Sequence, residues 1–316
     1  MNRIIAVNGV RLSEEHCKKI QAAATGFELL TGEKAKERIA ECEILFGHIS
    51  QEMLAGAKNL KWLHTASAGV EHVLAPKMAF PDSIVLTNSA GMHGLAIAEH
   101  MLAFTLMLMR GMQNYVRQQD QHKWEFLGPV KSVYESKITV VGLGGIGSQY
   151  ASRVRALGAK VTGVVRSPRA ETPDCVDALF TIDRLDEAIA DADLVALSLP
   201  STSETVQLFD KNQMLKMKKG VIIINIGRGS AIDQDALIEL LENGHIGGAG
   251  LDVTSPEPLP ADSKLWDFPN VLITPHASHG ALSLTTDMIV DRFVGYLKDY
   301  IAGKPFERVV DRKAGY

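Results

Sequence analysis

Gly142, Gly144 and Gly147 in ITVVGLGGIG stand at the spacing GxGxxG, between a β-rich apolar run and SQYASRVRALG, which has the pattern of a helix. A turn of this kind can hold a pyrophosphate. The first glycine permits the tight turn, the second lets backbone approach the phosphates, and the third lets helix pack closely on strand. Gly145 and Ile146 lie where the helix opens, and its free N–H groups face the same anion. About 20 residues on, at the end of the next strand, an acidic side chain would hold the adenosine ribose hydroxyls. Here VTGVVRSPR puts Arg166 at that place, with Ser167 and Arg169 behind it. A guanidinium makes charge-assisted, bidentate hydrogen bonds to a 2′-phosphate, which a carboxylate would repel. Ser167 adds a hydroxyl donor and Arg169 a second cation. The pattern predicts NADP(H) in preference to NAD(H), with NAD(H) still admissible.

Three later stretches carry groups suited to chemistry: NIGRGSAID with Arg228, LDVTSPEPLP with Asp252 and Glu257, and ITPHASHG with His276. Each of these residues comes just past a predicted strand, where open α/β sheets place their ligand crevice. A forked cation, carboxylates and an imidazole suit an anionic small molecule and proton exchange.

The elements that must position these residues alternate between short apolar runs and helical patterns, the mark of parallel sheets wrapped by helices. Strands are predicted at RIIAV, EILFG, KWLHT and SIVLTN in a first α/β unit, with SEEHCKKIQAAA as a helix between them. A second unit begins at KITVVG and continues through AKVTGVV, ADLVALSL, GVIIINI, GGAGLDV and NVLITP. In one of its helices Asp233 caps the start, Ala236, Leu237, Leu240 and Leu241 form an apolar face, and Gly244 ends it. ALSLTTDMIVDRFVGYLKDYIAG has helical spacing and can return to the first unit. GLAIAEHMLAFTLMLMRGMQNYV lies between the units, either as a connector with a dimer-forming face or as an internal core helix.

Composition narrows the function classes. With 316 residues, 46% hydrophobic and 22% charged, the chain suffices for two ordinary domains. A formal net charge of −4 and the lack of a long basic run argue against nucleic acid or an anionic membrane surface as partner. Met101 to Met109 is far shorter than the roughly 20 apolar residues that span a bilayer. MNRIIAVNGV reads as a strand, not a signal peptide, so the expected location is the cytoplasm. Cys17, Cys42 and Cys175 form no CxxC pair, which argues against a disulfide framework or a metal site.

The motifs SAGVEHV, AEH, GLGGIG, LPSTSET, INIGRG, LDV, EPLP, LW, PNVLITPH and VVDRKAGY, in this order, resemble the D-isomer-specific 2-hydroxyacid dehydrogenase family over nearly the whole chain. The closing DR..GY resembles its NADP-dependent glyoxylate/hydroxypyruvate reductase branch. The resemblance implies two Rossmann-like/flavodoxin-like α/β domains, each with a doubly wound parallel sheet, and a cofactor cleft between them. The substrate-binding domain would be residues 1–89 completed by 283–316, and the NAD(P)-binding domain residues 90–282. It implies reduction of a small 2-keto acid to the D-2-hydroxy acid, with a homodimer as the expected assembly.

Carried over residue by residue, Arg228 would clamp the substrate's carboxylate and ketone oxygen. His276 would give the ketone oxygen a proton, and Glu257 would hydrogen-bond His276 and favour its imidazolium form. Asp252 matches the position at the nicotinamide end. Ile226 and Gly227 fall on the cofactor's segment, and Leu199, Pro200, Ser201 and Thr205 resemble the segment beside the adenosine, with Thr205 as its polar contact. Ala68 and Gly69 match the loop whose backbone N–H groups receive the carboxylate, while Phe46, Gly47 and His48 would help to set side-chain selectivity. Two rivals stand beside this reading. Formate dehydrogenases pair the histidine with glutamine, where Glu257 is a carboxylate; a corepressor-type nucleotide sensor would keep the same residues yet turn over little.

Overall fold

The computed structural model describes residues 3–279 and 283–312. Residues 280–282, beside the expected boundary before the C-terminal segment, and residues 313–316 of the ending VVDRKAGY lie outside the described residues. The described chain falls into two compact units, one of residues 3–93 and 283–312, the other of residues 94–279.

In the first unit, strands β1 (Arg3–Asn8), β2 (Phe27–Thr31), β3 (Cys42–Gly47), β4 (Trp62–Thr65) and β5 (Val85–Asn88) form a parallel sheet in the order β2-β1-β3-β4-β5. β3 and β4 are buried at every position, as parallel strands covered on both faces must be. One face takes the C-terminal helix Ser283–Ile301. Phe293 stacks on Phe46 with ring centroids 4.2 Å apart, and Trp62 lies 5.3 Å from Phe293. The returning helix is tied at its far end as well, where Tyr300 donates to Glu43 Oε1 at 2.6 Å beside the Arg3–Glu43 ion pair at 2.7 Å. The Arg3 guanidinium, assisted by Tyr300, holds the Glu43 carboxyl down at about 2 despite its burial. The helix Glu14–Ala23 starts from Ser13, whose hydroxyl accepts from the His16 amide.

His64 sits in the centre of this unit with no exposed surface. The indole of Trp62 can only donate, and it reaches Thr87 Oγ1 at 2.8 Å. Thr87 has no other acceptor among the described residues, so it gives its own hydrogen to His64 Nδ1 at 2.7 Å. His64 Nε2–H in turn donates to Ser89 Oγ at 3.1 Å, and Ser89 donates to the Thr65 carbonyl at 3.2 Å. Every polar group of the chain is paired, and only neutral His64 fits it.

Burial, with Arg292 adding a smaller repulsion, lowers the His64 pKa to about 3. Unfolded, the imidazole takes its proton near 6.5, so stability is full above that pH and is lost as pH falls from about 6.5 toward 3. We expect this group to cost about 2 kcal/mol between pH 7 and pH 5. Urea unfolding at both pH values should show that loss in the parent protein and its absence in His64→Gln; identical pH dependence in the two would contradict the assignment.

In the second unit, β6 (Lys137–Val141), β7 (Lys160–Val165), β8 (Ala178–Thr181), β9 (Leu194–Leu197), β10 (Val221–Asn225), β11 (Ile246–Leu251) and β12 (Val271–Ile273) form a parallel sheet in the order β12-β11-β10-β9-β6-β7-β8. The order reverses between β6 and β9, the switch point at which doubly wound sheets open a crevice. The helix Gly94–Arg110 belongs to this unit. It buries Ala98, Met101, Phe104 and Met109 against the sheet, and Thr105 Oγ1 meets the Tyr150 hydroxyl at 2.7 Å. It is thus a core helix on its inner face, while Leu106 points outward. Asp233 caps the helix Gln234–Glu242 through the Ala236 amide, as the sequence pattern predicts.

β2 and β8 were not expected from the sequence. Both are edge strands, and they bury little: only Leu30 is fully covered in β2, and all four residues of β8 stay partly exposed. Their apolar signal is correspondingly weak. Cys42 is buried, which pushes its thiol up to about 11, so it is an inert core residue. Among the described residues no single helix is long and apolar enough to cross a membrane.

Candidate functional site

Gly142 has φ +97°, and a Cβ at Gly147 would stand 1.9 Å from the Gly142 carbonyl, so both places require glycine. At Gly144 a Cβ would meet open space. The helix Gly145–Ala156, with Ile146 in its first turn, starts there without a side-chain cap. Its first amides remain for an anion. A bare turn ending in an uncapped helix fits a dinucleotide pyrophosphate.

Arg166 follows β7 directly and is exposed, 3.3 Å from Glu204. Arg169 reaches back to the glycine turn, donating from Nη2 to the Leu143 carbonyl at 2.8 Å. Ser167 is exposed between them. Beyond β9, Leu199 and Pro200 begin a loop that Thr205 stitches together. Its hydroxyl donates to the Pro200 carbonyl at 2.6 Å and accepts from the Thr202 amide at 2.8 Å, so its one hydrogen is spent within the loop. Ser201 Oγ lies 3.3 Å from Ser230 Oγ.

Arg228, Glu257 and His276 follow the neighbouring strands β10, β11 and β12. Asn225, the buried last residue of β10, clamps the first of these turns: Oδ1 accepts from the Gly227 amide at 3.0 Å and Nδ2 donates to the Arg228 carbonyl at 2.9 Å. Arg228 is half-buried, with Nη1 on the Gly227 carbonyl at 2.8 Å. A Cβ at Gly229 would stand 1.9 Å from the Thr254 carbonyl, so the Arg228 turn lies directly against the segment that leads to Glu257. Ile226 is 4% exposed and packs in the core; its side chain does not face a ligand, and only its backbone can serve a cofactor.

Glu257 uses both carboxylate oxygens. Oε1 accepts from the Thr254 amide at 3.1 Å, and Oε2 lies 2.9 Å from His276 Nδ1. A carboxylate only accepts, so Nδ1 carries the hydrogen and Nε2 is the nitrogen left for proton exchange. His276 is in the left-handed region, φ +51°, which is costly for a residue other than glycine. Its amide is held by the Asp252 and Thr274 carbonyls at 2.8 and 3.0 Å.

Asp252 is the hub of that loop. Its carboxylate, 1% exposed, accepts from Thr274 Oγ1 at 2.6 Å, the Ala277 amide at 2.8 Å and the Ser278 amide at 3.1 Å. Burial alone would raise its pKa, but the hydrogen bonds from Ser278, Thr274 and Ala277 outweigh this and hold it below the ordinary carboxylate range. His100 Nε2 completes the row by donating to Thr274 Oγ1 at 3.0 Å. The carboxylate expected at the nicotinamide end is thus turned toward the histidine loop. Asn225, Thr254, Thr274 and Ser278 were not singled out in the sequence; a polar residue closing the apolar run VIIIN was the available signal for Asn225.

In the first unit, Ala68 and Gly69 lie on the loop after β4. Gly47 and His48, at the end of β3, line a cavity of about 350 Å³ with Gly9, Thr65, Ser67 and His72. The His48 and His72 rings stack at 5.6 Å. Phe46 corrects the expectation for this group: it is 0% exposed and stacked on Phe293, a core residue that cannot touch a ligand. β3 is covered on both faces, so its last aromatic points into the sheet's helix layer while Gly47 and His48 reach the rim.

Residues 102–278 match the family model for the NAD-binding domain of D-isomer-specific 2-hydroxyacid dehydrogenases. D-3-phosphoglycerate dehydrogenase of Synechocystis is 33% identical over 83% of this chain and 47% of its own length. The chain therefore spans about half of that relative. A solved D-isomer-specific 2-hydroxyacid dehydrogenase family protein from Aeromonas salmonicida superposes with TM-score 0.85 at 31% identity, covering 99% of this chain and 100% of that one. An NADPH-dependent glyoxylate/hydroxypyruvate reductase from Sinorhizobium meliloti, solved with NADP and sulfate, gives TM-score 0.83 at 27% identity, covering 99% and 100%.

Proposed function

Since the chain belongs to the D-isomer-specific 2-hydroxyacid dehydrogenase family, we propose that it reduces a small 2-keto acid, such as glyoxylate or hydroxypyruvate, to the D-2-hydroxy acid with NADPH. The observation that carries this reading is the His276–Glu257 pair at 2.9 Å, which leaves Nε2 as the proton-exchanging atom. The nicotinamide, when bound, supplies the hydride for C2. His276 Nε2 gives the ketone oxygen its proton, and Glu257 keeps the ring oriented through Nδ1. Arg228 forks onto the carboxylate and ketone oxygen, and the Ala68 and Gly69 amides receive the carboxylate.

NADPH is preferred in this reading because Arg166 and Ser167 stand where an acid would otherwise read the ribose. Initial rates over a panel of 2-keto acids of increasing size, with the enantiomer of the product determined, test the reaction. Glycolate from glyoxylate is achiral, so the D product from hydroxypyruvate and the next larger acids supports it; the L product, or turnover only with acids lacking the 2-keto group, contradicts it.

We also propose a homodimer. Trp124 is 103% and Phe126 80% exposed, and Leu106, Met112 and Val116, on the two helices before them in the chain, are exposed as well. A second copy would cover such side chains. Sedimentation at twice the chain mass supports this assembly, and a monomer at micromolar concentration contradicts it.

A further inference from the structure

Resting on the functional reading above, we propose that Asn88 is a positioning residue for substrate binding, and that with Ser67, Ser89 and His93 it turns the Ala68 and Gly69 amides outward as a carboxylate receptor. Four consecutive carbonyls on the loop after β4 are each held by a donor. Ala66 O takes His93 Nε2 at 3.0 Å, and Ser67 O takes the Ser89 amide at 3.1 Å. Ala68 O takes Asn88 Nδ2 at 2.7 Å, and Gly69 O takes Ser67 Oγ at 2.8 Å. Because a trans peptide points its C=O and the following N–H in opposite directions, fixing the carbonyls of Ser67 and Ala68 fixes the N–H groups of Ala68 and Gly69 on the other side. Among the described residues neither N–H has a protein acceptor. Two adjacent N–H groups presented in this way form an anion-binding concavity.

Asn88 controls the second of the two peptides. It is 6% exposed at the end of β5, and its Oδ1 accepts weakly from the Ala90 amide at 3.4 Å, which sets Nδ2 toward Ala68. The support continues inward. Ser89 anchors both Ser67 O through its amide and Thr65 O through its hydroxyl, and that hydroxyl is the end of the directed chain from Trp62 through Thr87 and His64. The loop that would receive a carboxylate is thereby fastened to the rigid centre of its sheet, so little reordering is needed when the anion binds.

The test is Asn88→Asp, nearly the same shape but placing an acceptor against the Ala68 carbonyl, so that the peptide is freed to rotate. KM for the best 2-keto acid and Ki for oxamate, an unreactive carboxylate analogue, should rise together by about tenfold or more. The NADPH dissociation constant should stay within about twofold, and kcat should fall less than KM rises. Asn88→Ala, which removes the donor to the Ala68 carbonyl without adding a charge, should show the same split at about threefold or more and serves if the first variant does not fold. Unchanged KM and Ki in a folded variant, or equal losses in NADPH binding and kcat, would overturn the assignment. If the parent protein turns over no 2-keto acid, the functional reading fails first; turnover with an unmoved KM in Asn88→Asp overturns this inference alone.

Discussion

His276→Gln is expected to lower kcat by about 10³-fold while leaving the NADPH dissociation constant within about twofold. General acid–base groups are worth roughly 10²–10⁴ in rate, and Arg228, Asp252 and Glu257 cannot take over the task. Arg228 carries donors only and serves as an anchor. Asp252 is committed to Thr274, Ala277 and Ser278. Glu257 reaches the reaction only through the imidazole, from Oε2 to Nδ1. Glutamine can donate a hydrogen bond but cannot deliver a proton. The glycine turn and Arg166 are untouched by the change, which is why cofactor affinity should survive. Steady-state kinetics together with a fluorescence titration of NADPH check both halves. Retained near-normal kcat would remove His276 from the acid–base role.

Arg166→Asp should raise the NADPH dissociation constant by about 100-fold or more and change that of NADH by less than about threefold. A charge-assisted bidentate contact contributes about 1.5–3 kcal/mol. Its replacement by a carboxylate adds repulsion, and Glu204, 3.3 Å from the guanidinium in the parent chain, would then face the phosphate as a second negative charge. Arg169, held through Nη2 on the Leu143 carbonyl, would remain as the single cation of the pair. Titration with each cofactor separates the outcomes. Equal weakening of both would show that Arg166 does not meet the 2′-phosphate.

Much of this was legible in the sequence because the relevant residues are tied to local grammar. Gly142 and Gly147 are needed for reasons confined to one turn, and Arg228, Glu257 and His276 fall just past apolar runs that could only be strands. Contacts between distant segments were not legible. β3 is apolar on both faces, so alternation gives no direction for Phe46; its partner Phe293 arrives on a helix near the other end of the chain. Asn88 reads as an ordinary strand end until β5 lies beside β4, Thr65 opposite Asn88. The spacing marks Asp252 and Thr205 as positions, but the first side chain serves the histidine loop and the second its own loop, a matter of a few torsion angles that spacing does not encode. The edge strands β2 and β8 escaped because a strand paired on one side needs less apolar surface.

The proposed NADPH-dependent reduction of a 2-keto acid is checked by kcat/KM for NADPH and for NADH, each with glyoxylate and with hydroxypyruvate. Clear turnover of at least one of these acids is expected, with NADPH favoured by about tenfold or more. Binding of NADPH without turnover of either acid, or a preference for NADH, would contradict it.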